Sequence, residues 1–156
     1  MVEEEWQEIK DSVLTLDAAK ISEIERHFAP PTYETIAEPV APYDAARFTD
    51  PAFSAWTRTN LFPHKQPGYT IVTVSLKPAG GVPGDATAEQ MEALADLAEK
   101  YSLGELRIAH EQNVVLPYVR KQDLHTLWQA LGEHGLADAN IGLITDIISC
   151  PGLDYC

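Results

Sequence analysis

Glu105-Leu-Arg-Ile-Ala-His-Glu-Gln-Asn-Val-Val-Leu-Pro-Tyr-Val119 reads as a β-hairpin. Leu106 and Ile108 alternate with Arg107 along a strand over Glu105–Ala109. His110–Asn113 is a polar turn, and Val114–Val119 returns as a second, antiparallel strand. Outward from the hairpin, each flank opens on a helix. Upstream, Thr87-Ala-Glu-Gln90 is a capping box, in which Thr and Gln side chains answer each other's backbone amides. Met91, Leu94, Ala95, Leu97, Ala98 and Tyr101 follow it at helical spacing. Downstream, Lys121–His134 carries Leu124, Leu127, Trp128 and Leu131 on one face and is closed by Gly135.

Beyond the helices lie two further strand readings. Tyr69–Leu76 places Val72, Val74 and Leu76 on one face and Tyr69, Ile71, Thr73 and Ser75 on the other. The second, Thr145–Ser149, delivers Cys150. The order β-α-β-β-α-β predicts an α+β, ferredoxin-like fold: a four-stranded antiparallel sheet with two helices on one face, over residues 61–149. Residues 1–60 read as a helical and proline-rich linker segment, expected either to wrap over the part that follows or to tether it to an upstream domain. Ile9, Val13, Leu14 and Leu16 suggest one short helix. Asp17 caps a second that runs to about Phe28, where Pro30-Pro31 ends it, and Asp50-Pro51 opens a third over Ala52–Trp56. Residues 150–156 then begin a further domain.

Composition narrows the function classes. The net charge of −13 argues against nucleic acid, whose phosphates require clustered Lys and Arg. It equally disfavours docking of another acidic protein, such as a ferredoxin, on this surface. No apolar run reaches the roughly 18–20 residues of a membrane span, and Val2-Glu-Glu-Glu-Trp6 has the wrong charge for a targeting leader. A cytoplasmic location is expected. Both cysteines sit in the final seven residues, Cys150-Pro-Gly-Leu-Asp-Tyr-Cys156. Their spacing is too wide for the C-x-x-C zinc or redox pattern, and the five histidines add no ligand spacing to it. An iron–sulfur cluster ordinarily takes four thiolates, so this pair is half a set. Fold alone assigns no chemistry.

The segments taken in order resemble the nitrite/sulfite reductase family of sirohaem and iron–sulfur enzymes. The resemblance spans about residues 56–156. It runs through Trp56-Thr-Arg-Thr-Asn60, His64-Lys-Gln-Pro-Gly-Tyr69, Thr87–Gln90, Gly104-Glu-Leu-Arg-Ile108, Glu111-Gln-Asn113, Asp123-Leu124, Gly135-Leu136 and Cys150-Pro-Gly…Cys156. It implies the second of two ferredoxin-like half-domains with its preceding linker, cut at the second cluster ligand. Cys150 and Cys156 then correspond to the first two thiolates of a [4Fe–4S] cluster whose C-x3-C partner pair is absent here. Arg107, Gln112 and Asn113 match the motif that lies against sirohaem, with Asn60, Lys65 and Gln66 a second tier. The parent would carry out the six-electron reduction of nitrite or sulfite, with an unspecified electron donor. This piece alone is expected to be inactive, to hold neither cofactor firmly, and to pair with the rest of its chain or with a second copy. The alternatives are a precorrin-3B-synthase-type relative and a stand-alone binding module whose cysteines are incidental.

Overall fold

The computed structural model describes residues 2–10, 15–148, 150 and 152, which fall into two compact units, Met1–Thr32 and Tyr33–Cys156. The first holds two helices, α1 (Val2–Ile9) and α2 (Ala18–His27). The expected cap is present: the Asp17 carboxylate accepts from the Lys20 amide at 2.7 Å. Val13 and Leu14, read as part of the first helix, lie outside the described residues.

The second unit is built in the order α3 (Ala41–Thr49), α4 (Pro51–Thr59), β1 (Leu61–Pro63), β2 (Tyr69–Ser75), α5 (Ala88–Tyr101), β3 (Arg107–Ile108), β4 (Asn113–Arg120) and α6 (Leu124–Glu133). Asp50 caps α4 by accepting from the amides of Ala52 and Phe53, both at 3.0 Å. Thr87 and Gln90 cap α5 reciprocally, at 3.0 and 3.2 Å. The strands form one antiparallel sheet in the order β1-β2-β4-β3. Val72 pairs with Leu116 and Val74 with Val114, so one sheet face is aliphatic. Against it pack Leu94 and Leu97 of α5 and Leu124, Leu127 and Leu131 of α6. This is the expected α+β ferredoxin-like half-domain, with its two helices burying the core on one face.

The last strand departs from the sequence reading. The fourth strand is not Thr145–Ser149. Ile144–Asp146 forms a 3-10 turn, no strand follows among the described residues, and Ser149 lies outside them. The outer edge of β2 is taken by β1 instead. Asp146 interrupts the apolar run, and its carboxylate turns inward to Lys77 and to the Gly142 amide. Residues 33–60 belong to the same compact unit as the sheet, and Phe53 and Trp56 of α4 are fully buried in its core.

Candidate functional site

The hairpin is closed by the Ala109 amide donating to the Asn113 carbonyl at 2.9 Å and the Gln112 amide donating to the Ala109 carbonyl at 3.1 Å. That is a three-residue loop, which needs a left-handed residue at its last position. Gln112 occupies it, at φ +59°. A glutamine there is strained relative to glycine or asparagine, by about 1–2 kcal/mol, so neighbouring contacts must hold the turn.

They come from Lys77, at the end of β2. Its side chain is 2% exposed, and its ammonium meets Asp146 at 2.9 Å and the Asn113 Oδ1 at 2.7 Å, and donates to the Glu111 carbonyl. Asn113 Nδ2 in turn donates to Asp146 Oδ1 at 3.1 Å. Burial pushes the Asp146 carboxyl upward, but donation from the Gly142 amide, Lys77 and Asn113 outweighs it and leaves the group below its ordinary value. Neither Lys77 nor Asp146 was singled out from sequence. The available signal was a charge within an apolar run, in Val72-Thr-Val-Ser-Leu-Lys77 and in Ile144-Thr-Asp-Ile-Ile148.

The loop between β2 and α5 also supports this hairpin. Gly84 has φ +85°, and a Cβ on it would meet the Gln112 side chain at 3.0–3.2 Å. Gly84→Ala is therefore expected to cost about 1–2 kcal/mol through backbone strain and to displace Gln112. Urea unfolding and the chemical shifts of the Gln112 side-chain amide check it. Unchanged values in both would remove Gly84 as a support.

The sheet face away from the helices is not bare. At one end Ile141, Gly142 and Asp146 line a cleft of about 340 Å³ with Phe62, Thr73 and Val115. At the other, Tyr33 packs edge-on to His64, Tyr69 and Tyr118, with ring centroids 5.2–6.0 Å apart. Burial, then Tyr118 and Tyr69, hold the Tyr33 phenol above its ordinary pKa. Arg107 lies exposed beside this cluster. It donates to Glu105 at 2.6 Å and to the Tyr118 hydroxyl at 3.0 Å, and the Glu105 bond raises its pKa further.

The remaining expected residues separate. Asn60 is fully buried: Nδ2 donates to the carbonyls of Thr73 and Asp138 at 2.9 and 3.0 Å, and Oδ1 accepts from Thr59 at 2.6 Å. Its amide is spent inside the protein. Lys65 is exposed and Gln66 half-buried, lining a second cleft with His64, Tyr69, Glu38 and Lys121. Lys121 there is ion-paired with Glu38. Cys150 is an exposed free thiol, and Cys156 lies outside the described residues. No cluster of three or more His, Cys, Asp or Glu fit to hold a metal occurs among the described residues.

These donors suit a carboxylate-rich ligand in kind, because Arg107 offers a planar, exposed guanidinium. A ligand carboxylate would have to compete with Glu105 for it. Two thiols supply half of a four-thiolate set.

Residues 63–134 match the family model described as the nitrite/sulfite reductase ferredoxin-like half domain. The chain is 34% identical over 108 residues to the chloroplastic ferredoxin–nitrite reductase of Betula pendula, covering 65% of this chain and 17% of that protein. Identity to the Zea mays enzyme of that name is 34% over 106 residues, 65% of this chain and 18% of the relative. With the ferredoxin–nitrite reductase of Synechococcus elongatus it is 31% over 109 residues, 68% of this chain and 20% of the relative. The chain thus spans about a fifth or less of the length of these relatives.

Proposed function

We propose, from the membership of residues 63–134 in the nitrite/sulfite reductase half-domain family, that this chain is one part of a sirohaem- and [4Fe–4S]-dependent reductase of nitrite or sulfite. One observation carries the reading beyond family membership. The hairpin bearing Arg107, Gln112 and Asn113 is bonded to Asp146, four residues before Cys150. Gln112 and Asn113 at the hairpin tip and the approach to the thiols therefore meet at one end of the sheet, while the Arg107 guanidinium lies towards the other, beside Tyr118.

In the loaded parent, sirohaem and the cluster supply the electron path and the site at which the oxyanion is reduced. The residues of this chain bind and orient. The Arg107 guanidinium takes a ligand carboxylate in place of Glu105, forming a charge-assisted pair. Lys65 offers a second cation at the exposed end. Gln112 is held at the hairpin tip, its side chain close to Gly84. Asn113 has both amide atoms engaged with Lys77 and Asp146, so its part is to shape the turn. Cys150 and Cys156 provide two thiolates, and the other two come from elsewhere in the parent. The relatives carry ferredoxin in their names. The charge of −13 on this chain favours a docking surface elsewhere in the parent for an acidic donor.

The test is titration of the chain with sirohaem, followed by absorbance. Weak binding is expected, about tenfold weaker in Arg107→Ala, which is the loss of roughly 1.4 kcal/mol. Anaerobic reconstitution with iron and sulfide is expected to yield fewer than one cluster per monomeric chain. Equal sirohaem binding by wild type and Arg107→Ala would overturn the ligand assignment. A stable cluster on each monomer would overturn the half-set reading.

A further inference from the structure

We infer that Lys77 and Asp146 are positioning residues: their buried ion pair holds the hairpin that carries Gln112 and Asn113 in fixed relation to the segment that runs to Cys150. The role assigned to that relation rests on the proposed function.

Lys77 cannot serve as a ligand. An ammonium has three protons to donate, and here all three have acceptors: Asp146 Oδ1, Asn113 Oδ1 and the Glu111 carbonyl. With 2% exposure, it meets nothing outside the protein. Its acceptors belong to two segments far apart in sequence, the hairpin tip and the stretch after α6. That makes it a tie between them.

Asp146 is tied just as fully. Oδ1 takes Lys77 and Asn113, at 2.9 and 3.1 Å, while Oδ2 accepts the Gly142 amide at 2.8 Å. It is the last residue before Cys150 with a side chain so engaged among the described residues. Ile147 and Ile148 beyond it are 59% and 51% exposed.

The backbone of the hairpin supplies the reason for a tie. Gln112 sits at φ +59°, in a conformation that a non-glycine residue keeps only when its surroundings over-determine it. The Lys77 ammonium lies against the Glu111 carbonyl and 3.5 Å from that of Gln112, so it fixes the turn on both sides of that residue. One charge thereby sets the pose of Gln112 and the exit of the cysteine segment together. A cluster and a tetrapyrrole held by these two segments would inherit that common reference.

Dipolar EPR between two nitroxides tests this without any cofactor. One label is placed on the native Cys150 and the other on His110→Cys, at the 87%-exposed hairpin tip, in a Cys156→Ser background. Wild type is expected to give a narrow distance distribution. Asp146→Asn, which keeps the size and removes the charge, is expected to broaden it about twofold by loosening the local tie. Asp146→Glu is expected to retain most of the narrowness. Lys77→Met should broaden it too; should that variant fail to fold by far-UV circular dichroism, the two Asp146 variants decide. An unchanged width in folded Asp146→Asn overturns the inference. Equal broadening in Asp146→Glu overturns it as well, because packing rather than charge would then set the distance. Equal sirohaem binding by wild type and Arg107→Ala would overturn the ligand assignment while leaving this measurement interpretable.

Discussion

Lys77→Met is expected to destabilise the chain by about 3–5 kcal/mol, the cost of breaking a buried ion pair from one side. Methionine keeps the length and the apolar stem, so lost packing is a minor contribution. What remains is an uncompensated Asp146 carboxylate and an Asn113 Oδ1 and Glu111 carbonyl without their donor. Urea unfolding at neutral pH measures the loss. The pH dependence separates charge from packing. Asp146 is held below its unfolded value of 3.8, so its contribution is complete above that value and lost as pH falls through the folded pKa. The gap between wild type and Lys77→Met should therefore narrow on acidification below pH 3.8. A gap that stays constant to low pH would mean that the loss is one of packing. A loss under about 1 kcal/mol at neutral pH would contradict the buried pair, since that is the range of exposed ones.

Asn60→Ala is expected to cost about 2–4 kcal/mol, from a buried Thr73 carbonyl and a part-buried Asp138 carbonyl deprived of their donor and the space left by the amide. Those carbonyls belong to Thr73 in β2 and Asp138 after α6, so Asn60 pins the end of α4 to both. The Thr73 amide also donates to the Asn60 backbone carbonyl at 2.8 Å, a bond that survives the substitution. Asn60→Asp should be at least as damaging, because a carboxylate cannot donate and would be buried charged. Thermal unfolding ranks the two. A cofactor ligand would behave differently, and this is the discriminating readout. Sirohaem affinity of the folded Asn60→Ala chain should equal that of wild type. A tenfold loss of affinity without a loss of stability would return Asn60 to the binding site.

Much of the half-domain was legible residue by residue, because local periodicity and local hydrogen bonds specify those parts. Thr87 and Gln90 cap α5 as read, and Asp17 and Asp50 cap their helices. The alternation of Val72 and Val74 and the helical spacing of Leu124, Leu127 and Leu131 identify the core face. Among the site residues, Arg107 and Gln112 could be located on the hairpin from sequence. The bonds that bind Asn60 and Asn113 internally could not, because the side-chain type is the same for a ligand and a clamp.

The sequence by itself determined which segments are helix and strand across the hairpin and its flanking helices, since neighbours three or four residues apart decide those. Only the tertiary structure decided which strand completes the sheet. A short segment such as Thr145–Ser149 is a strand only if a free edge awaits it, and Leu61–Pro63 holds that edge. Likewise, only the folded chain brings Lys77 within 2.9 Å of Asp146. No local pattern connects two charges so distant in sequence; burial does, because a charge withdrawn from water must find its opposite.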